Sequence, residues 1–115
     1  MQGDLREVNI KENMPTVQEA VSNLNTVLRS SRQLGYSAVK IIHGYGSSGR
    51  GGKIRLTVRR RLTEMKQKRQ IRDFIPGETF SIFEEATRQA FIRCDDLRRD
   101  HDLDRHNNGI TIIIF

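Results

Sequence analysis

Apolar residues recur along the chain with two periods, and their order sketches a fold. Leu5, Val8 and Ile10 outline a short first strand with imperfect alternation. Val17, Ala20, Val21, Leu24, Val27 and Leu28 then recur every three or four residues, which is one apolar stripe of a helix. Thr16 and Glu19 at its start fit a capping box, in which each side chain satisfies an amide the helix leaves open. Gly35 is the natural stop for this helix. The run Ala38-Val39-Lys40-Ile41-Ile42 is the strongest strand pattern and is expected at the centre of a sheet. A second helix is expected over about 53–68, with Ile54, Val58, Leu62 and Met65 inward. A strand over 71–75 ends at Pro76-Gly77. The spacing predicts a third helix over 81–94, opened by a second capping box of Ser81 and Glu84. Phe80, Phe83, Ala86, Ala90 and Phe91 are expected inward there. A charged loop over 95–108 leads to a last strand over 109–115. The order βαβαβ-α-β predicts an α/β fold with helices packed on a sheet.

Length and composition narrow this further. A chain of 115 residues suits one domain, residues 1–115, and 36% hydrophobic residues supply a modest core. Cys94 is the single cysteine, so no intramolecular disulfide forms and a reducing, cytoplasmic setting is expected. The charged first residues do not resemble a signal peptide, and no apolar run reaches the roughly 20 residues of a membrane helix. No membrane partner is expected. The net charge of +6 favours polyanions.

That charge is concentrated. Residues 50–72 hold ten of the twenty basic residues, with Glu64 as the only acid, so this segment carries +9 and the remainder −3. A merely solvated helix face usually mixes both signs. Just before it, His43-Gly44-Tyr45-Gly46-Ser47-Ser48-Gly49 joins a strand to the basic helix. Glycine lets backbone amides turn toward a ligand, and a helix amino terminus attracts an anion. Gly44, Tyr45, Gly46, Gly49, Arg50, Lys53, Arg55 and Arg59 are therefore candidates for nucleic-acid binding through phosphates. His43 is a candidate general acid or phosphate donor, and equally a brace for the loop. Tyr45 is the one aromatic placed to stack on a base, so base stacking is otherwise not expected.

Two nucleotide motifs are excluded. Gly44-x-Gly46-x-x-Gly49 matches a dinucleotide fingerprint as a string, but it follows the second strand and the chain is short for that fold. The phosphate loop of nucleotide hydrolases would need glycine at Ser47 and Ser or Thr at Ile54.

The run from Val39 through His43-Gly44-Tyr45-Gly46 to Gly49, followed by Gly52-Lys53-Ile54-Arg55, resembles the signature of the Smr (small MutS-related) domain. Thr16-Val17-Gln18-Glu19-Ala20 and the ending Asn107-Asn108-Gly109-Ile110-Thr111 extend the resemblance over most of the chain. Residues 76–106 look like a family-variable insertion. The resemblance implies a two-layer α/β sandwich: a four-stranded sheet, two main helices and one additional helix. It implies DNA or RNA as partner, and endonuclease activity in several members. Smr domains occur at the end of MutS2 proteins and alone, so a larger MutS-like protein or a homo-oligomer stays open. Nuclease members carry Leu-Asp-x-His at the end of the first strand, where this chain reads Val8-Asn9-Ile10-Lys11. Asparagine is no general base and lysine is no imidazole, so binding carries over while hydrolysis is left open.

A nuclease would call for Mg²⁺ or Mn²⁺, for which the acids between Asp95 and Asp104 are the nearest source; no other cofactor is expected. Asp100-x-Asp102-x-Asp104 begins like a calcium loop but lacks its glycine and closing glutamate. Arg98, Arg99 and Arg105 are interleaved with these acids, and a salt-bridged surface loop is the expectation, with no metal. A third alternative is a module for an acidic protein partner.

Overall fold

A computed structural model describes residues 4–45 and 49–115, with backbone alone over 49–51. The elements are β1 (Leu5–Asn9), α1 (Val17–Gln33), β2 (Ala38–Ile42), α2 (Gly49–Gln67), β3 (Asp73–Pro76), α3 (Glu85–Arg93) and β4 (Ile110–Ile114), with 3₁₀ turns at Gly77–Thr79 and Asp95–Arg99. The sheet runs β1-β2-β4-β3; β1 lies parallel to β2, and β4 is antiparallel to both its neighbours. Thus β2 is an inner strand, as its apolar residues, interrupted only by Lys40, require.

Local chemistry explains α1 at both ends. Thr16 Oγ1 accepts from the Glu19 amide at 3.1 Å, while Glu19 Oε1 accepts from the Thr16 amide at 2.8 Å. At the other end Gly35 takes φ +86° and the Tyr36 amide donates to the Ser31 carbonyl at 3.0 Å, a left-handed exit from a helix.

Alternate residues of β2 and β4 feed two cores. Val39, Ile41 and Ile113 pack with Leu24 and Leu28 of α1 and Val58 and Leu62 of α2. Ala38, Ile112 and Ile114 face Ala90 and Phe91 of α3 and Leu97. The sandwich of sheet and α1/α2 therefore carries the additional helix on its opposite face.

Three expectations are corrected. The second helix begins at Gly49, four residues early, so it absorbs Gly51 and Gly52. The third begins at Glu85, because Ser81 Oγ accepts from the Phe83 amide and the Ser81 amide turns to Thr87 Oγ1; the second capping box is not formed. Phe83, 82% exposed, and Ala86 consequently face outward rather than inward. Among the described residues no helix is long and apolar enough to cross a membrane.

Candidate nucleic-acid interface

The end of β2, the α2 residues Arg55 and Arg59, and the start of β4 converge on His43. The His43 and Gly44 amides both donate to the Gly109 carbonyl at 3.0 Å, which pins the loop as it leaves the sheet. Gly44 sits at φ +80°, and a Cβ there would meet the Lys11 side chain at 3.3 Å. Lys11 therefore lies over the loop at the position where nuclease members of the resembled family carry histidine. Asn9, beside it, accepts the Lys11 amide at 2.8 Å through Oδ1.

His43 is 1% exposed, and both of its ring nitrogens have partners. Nδ1–H donates to the Gly44 carbonyl at 2.7 Å, and Nε2 accepts from the Thr111 hydroxyl at 2.8 Å. Thr111 Oγ1 in turn accepts from Arg59 Nε at 3.3 Å. Burial first, then the fields of Arg59 and Arg55, lower the His43 pKa to about 4 against the favourable Gly44 carbonyl. The imidazole is neutral at pH 7 and braces the loop.

Arg59 is equally occupied. Its guanidinium forms a fork on Glu78, at 2.7 and 2.8 Å, and also reaches the Asn108 and Ile110 carbonyls at 3.3 Å. Burial alone would raise the Glu78 pKa, but the Arg59 hydrogen bonds and charge outweigh it and hold the carboxylate below its usual range. Arg55 contributes to the field on both His43 and Glu78. Its buried Nε has no hydrogen-bond partner among the described residues. Lys53 and Tyr45 are exposed, Tyr45 by 58%. The Tyr45 ring lies against Gly109, where an added Cβ would come within 3.2 Å of it. Gly49 opens α2. Gly46 and the Arg50 side chain lie outside the described residues.

The acidic segment does something else. Lys40, in the middle of β2 and 1% exposed, places Nζ against both oxygens of Asp100 at 2.9 and 3.2 Å and against Asp102. Asp100, His101 and Asp102 bring ligand atoms within 4.8 Å of one another, a spacing that suits a metal. The Lys40 ammonium supplies the cation there. Asp102 Oδ1 also accepts from Asn107 Nδ2 at 3.0 Å, and Asn107 Oδ1 accepts the Gly109 amide at 2.9 Å. Sequence reasoning missed this relay and also Thr111 and Glu78. The one available signal was a polar residue, Lys40 or Thr111, inside an otherwise apolar strand. Cys94 is buried, and burial together with Asp96 pushes its thiol up to about 11, an unreactive state.

A mixed four-stranded sheet with a glycine-rich strand-to-helix junction, braced from its last strand, defines an α/β domain of one recognisable kind. The family model of the Smr domain matches residues 4–79, well over half of the chain, and the chain belongs to the Smr domain family. Its fold is similar to the crystal structure of the Smr domain of Thermus thermophilus MutS2. The two share 21% identity at a TM-score of 0.58, and the match covers 95% of each chain. No curated protein matches the chain.

Proposed function

We propose that this Smr domain binds nucleic acid by its phosphates at the junction of β2 and α2. The observation that carries this is the early start of α2 at Gly49. A helix starting there leaves the amides of its first turn open to an anion, with Lys53 exposed one turn on and the Arg55 charge within reach of His43. Family membership supports the same class, since Smr domains are known for nucleic-acid binding and nicking. Lys53 and Arg55 meet phosphate, together with Arg50 and the glycines of the loop, and Tyr45 offers an exposed ring to a base. His43 and Arg59 act through the loop, as positioning residues, because their polar atoms already have partners within the chain.

The geometry does not favour hydrolysis. His43 is neutral and enclosed, and Asn9 and Lys11 stand in place of an acid and a histidine. Nicking of supercoiled plasmid in Mg²⁺ or Mn²⁺, lost in His43→Ala, would instead make His43 part of a nuclease. An acidic protein partner would show as competition by heparin without binding to DNA or RNA.

Fluorescence anisotropy with duplex DNA and single-stranded RNA at two salt concentrations tests the binding itself. Affinity should fall steeply with salt, by about 0.7–0.9 log–log unit for each phosphate contacted, and Lys53→Ala should remove about one such contact. Salt-independent binding, or a Lys53→Ala slope equal to that of wild type, would rule out phosphate contact at this junction.

A further inference from the structure

At the other end of the helical layer, α1 and α2 part around a second cationic cavity. It has a volume of about 480 Å³, and Arg29, Arg32 and Arg61 stand on its rim. An adjoining hollow of about 370 Å³ adds Lys66, Arg69 and Arg72. Among the described residues no Asp or Glu lines either hollow. Glu64 lies 3.7 Å from Arg61 and Asp73 lies 2.9 Å from Lys66, so those two cations are partly neutralised. Arg29 is exposed and makes no ion pair among the described residues.

The floor of this cavity is apolar. Leu28, Met65, Ile71 and Phe115 form it. The Arg32 guanidinium lies 5.3 Å from the centre of the Phe115 ring and donates to the Gln70 carbonyl, with the residue exposed to an incoming ligand. A flat guanidinium beside an apolar floor, ringed by cations, has the chemistry of a platform for an unstacked base with its phosphate at the rim. A duplex keeps its bases paired and cannot offer one. An acidic peptide would use the cations but not the floor.

We infer that this cavity binds an unpaired nucleotide of single-stranded nucleic acid, with the base on Arg32 and the floor and the phosphate on Arg29. The inference rests on the nucleic-acid reading of the chain but uses other residues. Along α2 the junction's Lys53 and the cavity's Arg61 and Met65 are 8 and 12 residues apart, about 12–18 Å at 1.5 Å per residue, so the two sites are separate in a molecule whose longest extent is 35 Å. A single strand of several nucleotides reaches both.

The test uses anisotropy with a 20-nucleotide single strand, as RNA and as DNA, and with the corresponding duplex. Arg32→Lys keeps the charge and removes the planar stack. It should weaken single-strand binding about tenfold, the scale of one stacked base, and leave duplex binding as in wild type. Arg29→Ala should lower the single-strand salt slope by about 0.7. A strand carrying 5-iodouracil should crosslink under ultraviolet light to Met65 or Phe115. Single-strand affinity unchanged in Arg32→Lys, an equal loss on strand and duplex, competition by polyglutamate as strong as by the strand, or crosslinks confined to residues 43–53 would each overturn the inference. Lys53→Ala separates it from the junction site. If Lys53→Ala has no effect while Arg32→Lys does, the junction fails and the cavity stands; the reverse outcome fails the cavity alone.

Discussion

Placing a proton on His43 is costly where the ring sits. Burial, followed by the nearby Arg59 and Arg55, holds its pKa at about 4, whereas the unfolded chain titrates near 6.5. The unfolded state therefore binds the extra proton more readily throughout the interval between these values. Stability from the neutral ring is fully present above about pH 6.5, declines as pH falls, and is gone below about pH 4. The whole effect is on the order of 3 kcal/mol. Urea unfolding of wild type and His43→Gln at pH 7.5, 6, 5 and 4 should show the two curves converging as pH falls. Parallel losses in both proteins would mean that another group controls the acid response. The same enclosure keeps His43 from serving as a proton donor near neutral pH, which is why it reads as a brace.

Along α2 the amino-terminal turn carries glycine at a position where helix propensity disfavours it. Gly52 lies within it, and an added Cβ would meet no atom within 4 Å. Alanine there should raise stability by about 0.5–1 kcal/mol, since glycine inside a helix is unfavourable by that amount. If phosphate approaches the first-turn amides closely, the same methyl should weaken nucleic-acid binding. Thermal unfolding and anisotropy on Gly52→Ala check both halves, and wild-type affinity in the more stable variant would place the phosphate elsewhere. Local signals of this kind are what sequence conveys well. The Thr16–Glu19 capping box forms as expected because its partners are three residues apart. Ser81 and Glu84 make an equally good string, yet the Ile82 amide is drawn to Asp104 Oδ1, 22 residues away, and the helix starts later. The glycines at 49–52 suggest a loop by propensity, and helix absorbs them. In the site, the glycine loop and the basic run were legible. The Arg59–Glu78 fork and the His43–Thr111 contact, spanning 19 and 68 residues, were not. The pairing of Arg32 with Phe115, 83 residues apart, likewise appears only in three dimensions.

Across the whole molecule, the sheet separates two electrostatic roles. The α1/α2 face carries the one-signed segment toward any polyanion, and such a charge distribution orients approach as well as binding. The α3 face holds the acids, and Lys40 ties them to the centre of the sheet. Burial alone would lower the Lys40 pKa, but the hydrogen bonds it donates to Asp102 and Asp100, with their charges, outweigh it and raise the pKa, so the ammonium stays charged. Through Asp102, Asn107 and Gly109, this ion cluster also supports the carbonyl that anchors the glycine loop on the other side. Removing one member of a buried ion cluster leaves the others uncompensated. Lys40→Met should therefore cost about 3–5 kcal/mol, more than burying the methyl group returns. Adding Asp100→Asn and Asp102→Asn to it should recover part of that loss, because the stranded charge disappears. The amides of His43 and Gly44 should exchange with solvent faster in the single variant than in the triple, since their acceptor depends on the same relay. Urea unfolding and hydrogen exchange measure the two effects. A Lys40→Met protein as stable as wild type would mean that the acidic segment stands apart from the loop, as a solvated surface turn.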